Sequence, residues 1–399
     1  MTKGKPAMKK IALYIKNMSG GGAQRHMAVV ANILDENGYD VTVISFNKRP
    51  KNPYYLNPGI KIKNLVDSDK NEASHSLFSS YLYRIKRRII KLLHRKNAEL
   101  RNKKLRFADL DYKVCSLVRK HLKKEKYDVI LPFMTDSCIY VSRASRGLKS
   151  KICTCVMAFP SKIYNNDFQT YLRDLYFKNA DANIFQTIEQ AEVLKPNVSK
   201  NIFDIHNPIK DNLPYPSGRE RKNIIVNFCR LDPVKNLKLL ISAFKIFSGE
   251  YPDYKLYIYG EGPQHDELIR LIDELGLNGK VLIKPFEKNI HEIILDYKMF
   301  VSSSDSEGIS NSIIEAMGIG LPVISTNADG GGAKAVIRDG ENGLIVPKGN
   351  ADEMYKAMKR IANDSDFASK LSENGVKIKE TLSAQNIGKQ WIDAIESVL

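Results

Sequence analysis

Two pairs of charged residues in the second half of this 399-residue chain have types and spacing that could do chemistry. Arg230 and Lys235 stand in Asn227-Phe-Cys-Arg-Leu-Asp-Pro-Val-Lys-Asn-Leu, just past an apolar run that ends at Cys229 and just before a helical pattern. A guanidinium, an ammonium and a helix N-terminus gathered at one strand end suit a diphosphate, although Arg and Lys in such places are often simply solvated. Glu307 and Glu315 stand in Ser304-Asp-Ser-Glu-Gly-Ile-Ser-Asn-Ser-Ile-Ile-Glu-Ala-Met-Gly318. That pattern predicts a strand over 299–302, a loop carrying Glu307 and Gly308, and a helix capped by Ser310 or Asn311 and stopped at Gly318. The backbone N–H groups of 308–311 would then form an anion-ready helix start. Capping and a wet helix face could account for both glutamates. However, Ile313, Ile314 and Met317 make the helix largely buried, and a buried Glu315 needs a partner.

The elements that must position these residues follow a βα rhythm. Residues 10–15 read as a buried strand, Ser19-Gly20-Gly21-Gly22 as a Gly-rich turn, 24–37 as an amphipathic helix and 41–46 as a second strand, which together make a βαβ unit. Further strands are expected at 60–65, 128–132, 152–157, 182–186 and 202–205. A turn-rich stretch follows, with three prolines between 208 and 216, and reads as a hinge. The rhythm then resumes at 224–229, 255–259, 281–283, 299–302, 323–325 and 344–346, with helices such as 237–247 and 266–275 between. Two such series predict an α/β protein of two doubly wound parallel sheets, with ligands beyond the carboxyl ends of the strands in a cleft between the domains. The expected division is 1–207, carrying a basic helical insert at 77–126; then 208–385; then a C-terminal helix over 386–399 that packs back on the first domain. Residues 77–124 hold neither Gly nor Pro and read as long helix, broken near 97–102.

With these motifs assembled, the sequence resembles the family-4 retaining glycosyltransferases of bacterial polysaccharide and lipid-linked glycan synthesis, which have the GT-B fold. EGISNSIIEAMGIGLPVIST is similar to that family's E-x7-E signature, and NFCRLDPVKNLKLLISAF to its strand, Arg, Lys-Asn and helix segment. LYIYGEGP is similar to its G-x-G-P turn, DGENGLIVPKGN to its post-cleft strand, and MSGGGAQRHMAVVAN to its N-terminal Gly loop. The likeness spans almost the whole chain, strongest over 223–350 and weakest over 50–130. It implies that Arg230 and Lys235 bind the donor diphosphate and that Glu315 binds the nucleotide ribose. It implies that Glu307 and the backbone of Gly308, Ile309 and Ser310 hold the donor sugar and phosphate. Gly21 and Gly22 let the first loop approach phosphate and acceptor, and Lys284-Pro285-Phe286 falls where the base is held. Two departures stand out: Gln24 replaces a Glu common in that loop, and 157–162 carries neither the Arg nor the His that many members place there.

Composition bounds the partners. Apolar residues make up 43% of the chain, too many for disorder, and no apolar run is long enough to cross a membrane. The five-residue run IALYI is too short for a signal sequence and suits a buried strand, so a cytoplasmic protein is expected. Five cysteines without a C-x-x-C pair point to reduced thiols and no zinc site, with Cys153 and Cys155 sharing one face of a strand. The net charge is +17, and residues 81–126 hold 17 Lys and Arg against four acids. That asymmetry points to an anionic surface. Leu82, Ile85, Ile89 and Leu92 form an apolar stripe among these cations, as a helix lying on anionic lipid would have, and a solvated helix face would also have this charge. Residues 84–106 contain no Phe, Tyr or Trp to serve as base-stacking platforms, which argues against nucleic acid. Three D-x-D triplets, at 67–69, 109–111 and 364–366, read as polar turns or helix surface, and no His spacing suits a metal, so no metal cofactor is expected.

The function these readings imply is transfer of a hexose or N-acetylhexosamine from a UDP-sugar to a growing, lipid-linked glycan with retention, by an enzyme sitting peripherally on the inner face of the cell membrane. The alternatives are a nucleotide-sugar epimerase or a soluble transferase with a small acceptor on the same architecture, and a basic, non-catalytic membrane or nucleic-acid adaptor.

Overall fold

A computed structural model describes the chain except residues 1–7, 19–20, 48–53, 67–76, 111–113, 158–166, 195–196, 200, 217 and 219. The expected triplet at 67–69, Ser19, Gly20, Asp111 and nearly all of the 157–162 loop therefore lie outside the described residues.

The chain divides into two compact units. One comprises 1–185, 191–205 and 388–399, and the other 186–190 and 206–387. The first is built on seven parallel strands: β1 (Lys10–Ile15), β2 (Asp40–Asn47), β3 (Lys61–Val66), β4 (Val129–Pro132), β5 (Lys151–Val156), β6 (Ala182–Phe185) and β7 (Ile202–Asp204). Their order in the sheet is β3-β2-β1-β4-β5-β6-β7. The second unit has six parallel strands: β8 (Lys222–Phe228), β9 (Lys255–Tyr259), β10 (Val281–Lys284), β11 (Tyr297–Ser302), β12 (Val323–Thr326) and β13 (Leu344–Val346), in the order β10-β9-β8-β11-β12-β13. A parallel sheet is covered on both faces, so its strands read as short, nearly continuous apolar runs. All thirteen lie on the runs picked out above, with ends differing by a residue or two.

In both sheets the order reverses next to the first strand, between β1 and β4 and between β8 and β11. At such a switch point the loops diverge and leave a crevice beyond the carboxyl ends. The Gly loop follows β1, Arg230 and Lys235 follow β8, and Glu307 follows β11.

Helices α1 (Gly22–Glu36), α2 (Leu77–Leu93), α3 (Ala98–Leu110), α4 (Ser116–Glu125), α5 (Thr135–Ser145), α6 (Asp167–Lys178) and α7 (Ile188–Leu194) occupy the first half of the chain. The break in the long helix expected at 77–124 falls between Leu93 and Ala98, close to the expected place; α3 is described to Leu110 and α4 from Ser116, with 111–113 outside the described residues. The two helices bury different surfaces. Phe107 of α3 packs edge-on against Phe168 of α6 at 5.1 Å, whereas Val118 and Leu122 of α4 join Tyr14, Ile44 and Ile130 in the sheet core.

Beyond β8 come α8 (Leu237–Glu250), α9 (His265–Glu274), α10 (Ile290–Ile293), α11 (Asn311–Gly318), α12 (Gly332–Val336), α13 (Ala351–Asn363), α14 (Ser365–Val376), α15 (Ile378–Thr381) and α16 (Ala384–Glu396). Leu240, Ile241, Phe244 and Phe247 of α8 form the heart of the second core with Ile225, Leu256 and Met299. The end of α16 belongs to the first unit. Trp391 is fully buried there, stacked on Phe133 at 5.8 Å, and Gly388 lets the helix close on α1, where a Cβ would meet Ile33 at 2.8 Å.

Among the described residues no helix is long and apolar enough to cross a membrane. None of the five cysteines is in a disulfide. Cys153 and Cys155 both point into the core of β5, and burial pushes the Cys153 thiol up to about 12. Of the other D-x-D residues, Asp364 caps α14 through the Phe367 N–H, and Asp109 pairs with Arg87.

Candidate active site

The second unit gathers its charged residues at the β8/β11 crevice. After β8, Asp232 accepts the Val234 N–H and opens a short 3-10 turn over Pro233–Lys235; Asn236 then takes a left-handed conformation (φ 44°) and caps α8 through the Leu239 N–H. This compact corner aims the Lys235 side chain back across the sheet end. After β11, Ser303 Oγ donates to the Lys235 carbonyl (2.9 Å), the Asp305 N–H to the Val234 carbonyl (2.9 Å), and Asn236 Nδ2 to Asp305 Oδ1 (3.0 Å). The two loops are thus laced together, and Lys235 Nζ donates directly to Glu307 Oε1, which Ser304 Oγ also approaches at 3.2 Å. Burial lowers the pKa of the Lys235 ammonium, with Arg230 adding in the same direction and Cys229 and Asp232 opposing it. Arg230 is close enough to act on that charge but extends into solvent, its side chain 71% exposed and held at 2.8 Å by Asp232. Cys229 between them stays a neutral thiol, because burial pushes it up to about 11 in spite of both cations.

Glu307 is followed by a tightly packed backbone. Its N–H donates to the Asp329 carbonyl at 2.9 Å. Gly308 has no room for a side chain: a Cβ there would stand 2.0 Å from Gln186 Oε1 and 2.9 Å from Gln190 Nε2. Gln186 donates to Asn207, whose Nδ2 donates to the Ile309 carbonyl at 3.0 Å, so two side-chain amides in series hold the backbone at Ile309. The next residues start α11, whose N-cap Ser310 makes no side-chain cap bond. The first N–H groups of a helix have no partner within it, and the positive end of its dipole adds to them, so this helix start suits an anion beside Lys235.

Glu315, on the second turn of α11, is 6% exposed, and His291 Nε2 lies 2.8 Å from its Oε2. His291 comes from α10 and is itself buried, with Phe228 edge-on to its ring at 5.9 Å. The need for a partner was legible in the sequence; the identity of the partner was not, because His291 lies in no motif and only the fold brings α10 against α11. Pro285 and Phe286 follow β10, the edge strand of this sheet, with Phe286 70% exposed. Lys284 lies over the Tyr257 ring at 4.6 Å.

In the first unit, the Gly21 N–H donates to Tyr54 Oη (2.7 Å), and the same hydroxyl donates to the Gly21 carbonyl (2.9 Å), which ties the Gly loop to a residue no sequence motif had singled out. Gly22 begins α1, and Gln24 Nε2 approaches Asn17 Oδ1 at 3.4 Å. The structure thus brings Lys235 onto Glu307 beside Gly308, Ile309 and Ser310, with Glu315 further along α11; it places Arg230 on the loop after β8 and Pro285 and Phe286 on the loop after β10, two strands away, and sets Gly21 and Gly22 at the sheet end of the other unit. Among the described residues no group of three or more His, Cys, Asp or Glu could hold a metal ion.

Two doubly wound parallel sheets, each with its loops at a switch point, define the GT-B class. The whole chain superposes on Staphylococcus aureus TarM, solved as a mutant with UDP and glycan ligands, at a TM-score of 0.75, covering 97% of this chain and all of that one at 15% identity. It superposes on Anabaena HepE, solved with UDP, at 0.74, covering 98% and 100% at 17% identity. Residues 210–378, within the second unit, match the family of glycosyl transferases group 1. Among curated relatives it is 26% identical over 388 residues to an N-acetylgalactosaminyltransferase of Campylobacter jejuni that acts on an N,N'-diacetylbacillosaminyl-diphospho-undecaprenol-linked sugar, covering 93% of this chain and 95% of that one. A second N-acetylgalactosaminyltransferase of the same organism, acting on the next undecaprenol-linked glycan, is 24% identical over 98% of this chain and 99% of its own.

Proposed function

We propose that this glycosyltransferase moves a hexose or N-acetylhexosamine from a UDP-sugar to a lipid-linked glycan, with retention of the anomeric configuration. The observation that carries the reading is the contact of Lys235 with Glu307 beside the uncapped start of α11. That arrangement offers a buried cation and a row of N–H groups to a diphosphate, and a carboxylate to the hydroxyls of the sugar on it. Arg230, exposed at the surface, turns from Asp232 to the outer phosphate when the donor binds. Glu315 takes the ribose hydroxyls, and Pro285 and Phe286 flank the base.

In this reading the bond from the anomeric carbon to the diphosphate oxygen breaks as the acceptor oxygen bonds to the same face of that carbon. The acceptor proton goes to the departing phosphate oxygen, so no protein base is required. Charge develops on the leaving diphosphate, and Lys235, Arg230 and the helix start stabilise it without a metal. Lys235 and Glu307 neutralise one another until the donor arrives, which keeps two charges in a half-buried site at modest cost.

The acceptor's lipid fits the basic helices. On α2, Leu82 (48%), Ile89 (49%) and Leu92 (74%) are exposed, and Arg84, Arg88 and Lys91 are exposed beside them, with Arg95 just beyond. An apolar stripe flanked by cations suits the headgroup layer of an anionic cytoplasmic leaflet, where each cation is worth about 1 kcal/mol. Arg87 is excluded from this face because it pairs with Asp109 and with Tyr83 Oη (3.1 Å).

The experiment is a panel of UDP-sugars offered with and without undecaprenyl-diphosphate glycans, with UDP release and product mass as readouts and the anomeric coupling constant read by NMR. Acceptor-dependent release of UDP and an α-linked product from an α-linked donor are expected. Absence of transfer with every donor, or an inverted product, contradicts the reading.

A further inference from the structure

The His291–Glu315 contact goes beyond any role assigned above. Glu315 is buried at the second turn of α11, and His291 is buried on the four-residue helix that follows the 285–289 loop. Their atoms meet at 2.8 Å, and Phe228 at the end of β8 closes one side of the ring. A lone buried carboxylate is costly and free to rotate; an imidazole N–H on Oε2 removes the cost and sets the carboxylate plane. The loop that would flank the base and the carboxylate that would take the ribose are thereby joined by one hydrogen bond.

We infer that His291 is a positioning residue that orients Glu315 for the ribose hydroxyls of the donor nucleotide. This rests on the reading of Glu315 as the ribose ligand, and the test keeps the two apart. The requirement is an N–H at the place of Nε2. A Gln side chain carries its amide nitrogen to about that place, whereas an Asn amide stops short of it.

The test is calorimetric titration of the full-length protein with UDP and with 2′,3′-dideoxy-UDP, which lacks both ribose hydroxyls. The wild type should prefer UDP by about tenfold to a hundredfold, as for a hydrogen bond to a charged group. In E315A that preference should collapse to below about threefold. In H291A and H291N it should fall most of the way to the E315A value, and in H291Q it should return to within about threefold of wild type. KM for the UDP-sugar should rise more than kcat falls in H291N. If H291A does not fold, the Asn and Gln pair decides. A collapsed preference in E315A with an unchanged one in H291N overturns the role of His291 and leaves that of Glu315 standing. An unchanged preference in E315A overturns the ribose reading and this inference with it. Equal loss in H291N and H291Q also overturns the inference, because a mere packing role would not separate them.

Discussion

Lys235 and Arg88 are both cations in a strongly basic chain, and the structure treats them in opposite ways. Lys235 is nearly buried, its side chain 19% exposed, with a carboxylate on its ammonium and two loops laced around it. Arg88 stands exposed on α2 among apolar residues that are exposed as well. Desolvated charges are worth having only where geometry fixes them against a partner or a ligand, whereas solvated ones act collectively and at a distance. The proposed donor site would therefore depend on a few irreplaceable side chains, and the basic helices on many interchangeable ones. Substitutions should separate the two regions by size of effect and by sensitivity to salt.

Lys235→Ala should have the largest effect, cutting kcat/KM for a UDP-sugar by about 10² to 10³, the range for loss of a preorganised contact to developing charge; steady-state assays measure it. Glu307→Ala should lower kcat with little change in UDP affinity, and Glu315→Ala should weaken UDP with little change in kcat, so equal loss of UDP affinity in both would merge their roles. Arg230→Ala should cost less than Lys235→Ala, about tenfold to 10², because Arg230 is solvated before the donor binds. Because burial lowers the pKa of Lys235, its ammonium loses its proton at a lower pH than an ordinary lysine. In a pH series of kcat/KM, which reports the free enzyme, the alkaline decline should begin below the usual lysine range and be absent in Lys235→Arg. The smallest single effects belong to α2. Each of Arg84→Gln, Arg88→Gln, Lys91→Gln and Arg95→Gln should weaken binding to anionic liposomes by about fivefold, from about 1 kcal/mol per cation. Co-sedimentation should show that binding fading at high salt, as screening shortens from about 10 Å at 0.1 M to about 3 Å at 1 M. Arg87→Gln should instead loosen the α2–α3 pairing through the loss of Asp109.

The same contrast explains what could be read from the sequence. Parallel strands announce themselves as short apolar runs, and all thirteen were visible. The E-x7-E spacing and the Arg-Lys spacing are local, so the candidate donor residues were legible too. What joins them is not local. Lys235 and Glu307 meet through two loops from different strands; His291 meets Glu315 only because α10 and α11 pack together; and Gln186 and Asn207 reach Gly308 and Ile309 from far along the chain. Arg87 looked like one more cation of the stripe until its partner Asp109, on another helix, came into view.

The claim that binds these points together is that the crevice of the second unit holds a nucleoside diphosphate and the basic helices do not. Calorimetric titration of UDP into the wild type, Lys235→Ala and the Arg84→Gln/Arg88→Gln/Lys91→Gln/Arg95→Gln variant tests it most directly. UDP should bind the wild type and the four-site variant with the same affinity and bind Lys235→Ala at least tenfold more weakly. Undiminished UDP affinity in Lys235→Ala, or loss of it in the four-site variant, would contradict the account.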